Sequence, residues 1–326
     1  MTPSLRQYRQ PYKVNGKFEF PKYFEIYQKA VASVWRPQEV SFESDIRDWQ
    51  NASDDEREII GGILRGFTQL ECYVGDHWAS IPQMFPKHEI AAMARAFSFS
   101  EVVHAESYNL LSDTLGIDEF EAFLGDPVAR QKIDYFLSER GDKVALAIFS
   151  GAGEGVSLFS SFAALLSLNL SGKYKGISQI ISWSALDEQQ HSDGGIALFK
   201  DLVAEEPLTE EEINEIHEGF QQVIQNEYAF IDKIFENRSL VNITAYDLKQ
   251  YILFRANDRL RALGIDRTFL FDSEGATRIK DWFHPLMAGS TSTDFFAQSK
   301  DGSNYISKPT QDFSTVNLRN LDLVLS

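Results

Sequence analysis

An all-α bundle of long helices is the fold class this chain predicts, on three observations. Helix signals dominate its 326 residues, strand-like alternation is scarce, and no repeat of fixed period stands out. Capping-box patterns stand ahead of two of the segments, at Ser53-Asp54-Asp55-Glu56 and Thr209-Glu210-Glu211-Glu212. Two Glu-x-x-His motifs, Glu101-Val-Val-His104 and Glu188-Gln-Gln-His191, each lie inside a long helical stretch. Residues three apart share one helix face, so each motif aims a carboxylate and an imidazole at one point.

The elements follow in order. Pro21 opens an amphipathic segment that runs to about Trp35, where Arg36-Pro37 ends it. The box at Ser53 starts a long helix towards Ile81, and Pro86 opens the next, which reaches Leu115 and carries the first motif. Residues 142–169 and 175–203 read as two further helices, the second carrying the second motif. Thr209 begins a helix to Phe235, and 244–263 reads as the last long one. After Phe296 the chain turns polar, then closes on the apolar Leu321-Asp-Leu-Val-Leu-Ser326. The division expected is one helical domain over 1–296 and a flexible tail over 297–326.

Composition narrows the function. A formal charge of −17 argues against a nucleic-acid partner, which needs a basic surface for phosphates. A hydrophobic share of 43%, with 25 Phe, is enough for a large aromatic core. Cys72 is the only cysteine, which fits a reducing cytoplasm, and the N-terminus lacks the apolar core of a secretion signal. Residues 155–172 are uncharged and long enough to raise a membrane span, but five serines and an Asn interrupt them. They read as a buried helix.

Two isolated acids complete a constellation. Glu71 is the only acid between Glu58 and Asp76, and Glu154 the only one between Asp142 and Asp187. A carboxylate inside an apolar helix is costly unless it is paired or binds a metal. A carboxylate-bridged bundle needs one Glu from each of two helices beside two Glu-x-x-His helices. The expected ligands of a metal pair are therefore Glu71, Glu101, His104, Glu154, Glu188 and His191. Four carboxylates offset two divalent cations, and the oxygen-rich set suits iron or manganese rather than structural zinc. Tyr108 lies one turn beyond His104, where a phenol beside an oxidising metal pair can store a radical. Asp187 is placed to accept from a ligand imidazole, and Leu158 and Phe162 to wall the site off from water. His77, His88, His217 and His284 have no Glu three residues before them and read as ordinary core or surface residues.

These residues resemble a known family, the small, radical-generating subunit of class I ribonucleotide reductase. Phe97-Ser-Phe-Ser-Glu101-Val-Val-His104-Ala-Glu-Ser-Tyr108 is similar to that family's first motif with its radical tyrosine, and Asp187-Glu-Gln-Gln-His191 to its second. Trp35-Arg-Pro-Gln-Glu39 and Ser292-Thr-Asp-Phe-Phe296 resemble its N-terminal tryptophan motif and its last helical-domain signature. The resemblance implies a ferritin-like bundle, a homodimer, and a separate large subunit that reduces the ribonucleotide. It implies that an oxidising equivalent at the metals or Tyr108 travels through His104, Asp187 and Trp35 to the tail. There Tyr305, the only tyrosine after Tyr251, stands as the bridge, and the apolar tail end as the docking peptide.

Two departures bear on this. Glu71 stands where many tyrosyl-radical members have Asp, as in manganese/iron and dimanganese subgroups, which inclines the reading to manganese in at least one position. The tail also lacks the near-terminal Phe common in the family. The alternative reading is a stand-alone ferritin-like oxidase or monooxygenase acting on its own substrate, and a third is a metal-storing or structural bundle.

Overall fold

The computed structural model describes residues 4–7, 12–13, 15–117, 125–136, 138 and 140–287. Ser292–Phe296, Tyr305 and the whole 297–326 segment lie outside the described residues. Among those described, the chain is helical with no named strand, in line with the expected fold class.

Helix α1 spans Pro21–Ala32, α2 Glu43–Gln50, α3 Asp54–Met84, α4 His88–Leu115 and α5 Pro127–Phe136. Helix α6, Asp142–Ala147, runs into a π-helical stretch, Ile148–Ser157, and then α7, Phe159–Asn169. The rest are α8 Lys175–Glu205, α9 Glu210–Ile234, α10 Ala245–Leu263 and α11 Ser273–Met287. The long helices α3 and α4 pack along each other, while the π-helical stretch lies against α8, α9 and α10. The core between them is rich in aromatic rings, including Trp78, Phe97, Phe159 and Phe162.

Both capping boxes form. Ser53 Oγ accepts from Glu56 N at 3.2 Å, and Thr209 Oγ1 accepts from Glu212 N at 3.2 Å. The start of α8 is capped from outside its own chain segment. Asp45 on α2 accepts from the backbone N–H groups of Gly176 and Ile177 at 3.0 and 2.8 Å, and Asp48 from Tyr174 N–H at 2.8 Å. A Cβ at Gly176 would come within 2.7 Å of Phe42, so glycine lets α2 sit this close. Two carboxylates at a helix N-terminus also suit its dipole.

Three differences from the sequence reading have physical causes. Helix α1 stops at Ala32, because Ser33 turns its hydroxyl back onto the Lys29 and Ala30 carbonyls. Arg36 is extended before Pro37, as the proline ring demands, and Trp35 enters the core from a non-helical stretch. The segment 142–169 is not one α-helix but α6, a π-helical stretch and α7. Gly151-Ala-Gly-Glu-Gly155 weakens the α ladder there. A Cβ at Gly151 would fall 2.7 Å from Phe220, so close packing also favours glycine. Finally, a shorter helix that the sequence reading did not place, α11, follows the 244–263 segment. Gly275 and Pro285 disguise α11 in the sequence. The stretch long and apolar enough to span a bilayer, Asp142–Asn169, is buried inside the bundle.

Candidate metal centre

Four helical elements converge on one dry point. Helix α3 brings Glu71, α4 brings Glu101 and His104, the π-helical stretch brings Glu154, and α8 brings Glu188 and His191. All six side chains are at most 1% exposed. Their ligand-capable atoms fall into two overlapping groups, each within 4.8 Å: Glu71, Glu101, His104 and Glu188, then Glu101, Glu154, Glu188 and His191. Glu101 and Glu188 belong to both. His104 Nδ1 lies 2.9 Å from Glu188 Oε1, and His191 Nδ1 lies 2.7 Å from Glu101 Oε1.

The donor set fits two cations. Both oxygens of Glu71 and one of Glu154 are buried with no hydrogen-bond partner among the described residues. Orphaned carboxylate oxygens in a dry interior demand positive charge. Burial, helped by repulsion from Glu188 and Glu101, drives Glu71 and Glu154 well above the usual carboxylate range. Burial opposes ionisation of Glu188 too, but hydrogen bonds from His104 and His191 outweigh it and hold its pKa down. Burial would lower both imidazoles, yet carboxylate neighbours overcome it, raising His104 well above its ordinary value and His191 to about 9. Without metal, protons must supply the charge that two divalent ions would bring.

Around this cluster, a hydrogen-bonded chain leads outward. His104 Nε2 faces Asp187 Oδ2 at 3.2 Å, and the same oxygen accepts from Trp35 Nε1 at 2.8 Å. The Trp35 ring lies 5.8 Å from that of His104 and 5.2 Å from that of Trp183. Tyr108 is fully buried, its hydroxyl has no hydrogen-bond partner among the described residues, and its ring lies 6.3 Å from that of His104. Burial first, and the Glu71 charge second, push its phenol well above the ordinary range. Of the expected wall, Phe162 packs on Phe67, whose ring sits 4.8 Å from that of Tyr108. Leu158 instead lines a cavity of about 300 Å³ with Glu154 and His77.

Sequence reasoning missed Trp78, whose Nε1 donates to Glu154 Oε1 at 2.5 Å. Its signal was legible: seven residues after Glu71 puts it two turns along on the same face, and a buried indole N–H needs an acceptor. It also missed Arg255 and Arg259 on α10, which carry no spacing signal.

Residues 14–274 match the family described as ribonucleotide reductase, small chain. The chain belongs to this family. It is 30% identical to the "Probable ribonucleoside-diphosphate reductase small subunit 376L" of Invertebrate iridescent virus 6, over 94% of this chain and 97% of that one. It is 28% identical to ribonucleoside-diphosphate reductase subunit M2 of Homo sapiens, over 77% of this chain and 66% of that one. Among solved structures, the dimanganese(II)-NrdF of Streptococcus sanguinis superposes with a TM-score of 0.74 at 21% identity, over 86% of this chain and all of that one. The R2 subunit of Clostridium botulinum superposes with a TM-score of 0.70 at 20% identity, over 82% of this chain and 88% of that one. The fold is therefore the ferritin-like bundle of these proteins, and the function that of a ribonucleoside-diphosphate reductase small subunit, which acts with a large subunit.

Proposed function

We propose that Glu71, Glu101, His104 and Glu188 hold one metal ion and that Glu101, Glu154, Glu188 and His191 hold a second, with manganese in at least one position and iron or manganese in the other. When bound, the pair supplies a one-electron oxidant. The chain's own residues carry that equivalent outward and keep water from it.

The observation that carries this reading is the chain from His104 through Asp187 to Trp35. Asp187 Oδ2 accepts a hydrogen bond from His104 Nε2–H, which would leave the Nδ1 lone pair for a metal ion once one is bound. It also fixes the indole: when Trp35 gives up an electron, its Nε1 proton has an acceptor 2.8 Å away. Tyr108 is the second store, a neutral phenol in a dry aromatic pocket.

In this reading Tyr305, in the 297–326 tail, passes the equivalent to the large subunit, and the apolar tail end docks there. The chain works as a homodimer in the cytoplasm. Val31 on α1 and Phe99 and Val102 on α4, which are 39%, 51% and 63% exposed, support an apolar face for the second copy.

The test is reconstitution with a class I large subunit and a ribonucleoside diphosphate. Deoxyribonucleotide formation should require both chains and should vanish, with metal binding intact, once residues after Phe296 are removed. Oxidase turnover that needs no partner and survives that deletion would favour the stand-alone enzyme instead.

A further inference from the structure

Two arginines one turn apart on α10 reach across the bundle to the back of the cluster. Arg255 Nε donates to the Gly155 carbonyl at 2.9 Å, and its Nη1 donates to Gln189 Oε1 at 3.0 Å. Arg259 Nη1 donates to Ser192 Oγ at 3.4 Å and Asp193 Oδ1 at 2.7 Å. Gly155 follows Glu154, Gln189 follows Glu188, and Ser192 follows His191. Three contacts therefore fall on the residues next to Glu154, Glu188 and His191, three of the four members of the second ligand group. None falls beside Glu71, Glu101 or His104.

Arg255 is an expensive residue to keep at this place. It is 4% exposed, and its hydrogen-bond partners there are a carbonyl and an amide oxygen, with the Phe159 ring face 3.6 Å from its Cζ. Its Nη2 has no hydrogen-bond partner among the described residues. Burial lowers its pKa to about 10. A buried cation held mainly by neutral groups contributes little to stability, so its geometry is the more informative feature. That geometry is a fork. One arm takes a carbonyl of the π-helical stretch, where the backbone ladder is already rearranged, and the other takes α8. Arg259 seats beside it because a Cβ at Gly155 would lie 2.6 Å from its Cδ.

We propose that Arg255 and Arg259 form a clamp that positions Glu154 and His191, which serve the second metal position alone, together with the shared Glu188, and so supports the affinity of the second position more than that of the first. The clamp residues touch neither metal nor substrate; they are positioning residues. The inference rests on the two-ion reading above.

The test is Mn(II) binding to the full-length protein, followed by electron paramagnetic resonance of the free ion, with the occupancy of each position read from anomalous diffraction. Arg255→Met removes the fork, and Ser192→Ala removes the Arg259 contact beside His191 without touching either arginine, in case the first variant folds poorly. Weaker binding by about tenfold or more is expected at the second position, as is usual when a ligand's support is lost. The first position, which shares only Glu188 with the clamped residues, should weaken less. Arg255→Lys, which preserves charge but not the fork, should behave like Arg255→Met. Equal weakening at both positions would mark Arg255 as merely structural, and unchanged binding in both variants would also overturn the clamp. Wild-type protein titrated in parallel separates the two ideas. If it binds fewer than two ions, the two-ion reading falls and takes the clamp with it; if it binds two and the variants match it, only the clamp falls.

Discussion

Removing a carboxylate shared by both ligand groups should cost more metal than removing one that serves a single group. Glu188 belongs to both groups and Glu71 only to the first. Glu71→Ala is expected to lower metal content from two ions per chain to one, and Glu188→Ala to lower it close to none. The stability consequence can be worked out. With free metal at about a hundred times the dissociation constant, each bound ion stabilises the folded chain by about 2.7 kcal/mol. At about 2.1 cal/mol/K per residue, 1 kcal/mol moves the melting temperature of this 326-residue chain by roughly 1.5 °C, so each ion adds about 4 °C. Glu71→Ala should keep about half of the metal-dependent rise, and Glu188→Ala almost none. Elemental analysis paired with scanning calorimetry, with and without a chelator, reads both quantities. A Glu188→Ala protein that still binds one ion as tightly as wild type, or a Glu71→Ala protein that binds none, would refute the shared-ligand geometry.

Four other outcomes are expected. Tyr108→Phe should abolish any tyrosyl signal in electron paramagnetic resonance while leaving metal content unchanged; activity that survives would assign the stored equivalent to the metals. Because the Tyr108 hydroxyl has no hydrogen-bond partner among the described residues, the change should cost little stability, less than about 1 kcal/mol. Trp35→Phe removes the indole N–H donated to Asp187 and should block reduction with the large subunit at unchanged metal loading, so full turnover would remove Trp35 from the route. Tyr305→Phe should do the same, checked by the same assay. His77 gives a pH dependence: burial lowers its imidazole from 6.5 to about 3, so the unfolded chain alone takes the proton between those values. Stability should therefore be unaffected by this group above pH 6.5 and fall as pH drops below it, by about 2 kcal/mol at pH 5. Urea melts of His77→Leu at pH 7 and pH 5 should show that share of the acid sensitivity gone.

Much of the site could be read in one dimension because helices convert spacing into direction. Glu101 with His104, and Glu188 with His191, were bound to share a face once their segments were helical. Glu71 and Glu154 stood out because each is a lone acid in a long apolar run, and such a group needs a partner. Asp187 was found by adjacency to Glu188, and the structure sets it between His104 and Trp35. Leu158 shows where that logic stops. One and two turns beyond Glu154 in an α-helix, Leu158 and Phe162 should form one wall. The π-helical stretch changes the register, and Leu158 lines the cavity with Glu154 while Phe162 packs on Phe67.

By itself, then, the sequence determined the all-helical class, the helices that bear the cluster and the six side chains themselves, since all of these follow from local periodicity and the cost of burying charge. Only the tertiary structure decided which carboxylates are shared, that Trp78 braces Glu154, and that α10 reaches back to Gly155, Gln189 and Ser192. Contacts between segments 66 to 100 residues apart depend on how helices cross, and no spacing along one helix encodes that crossing.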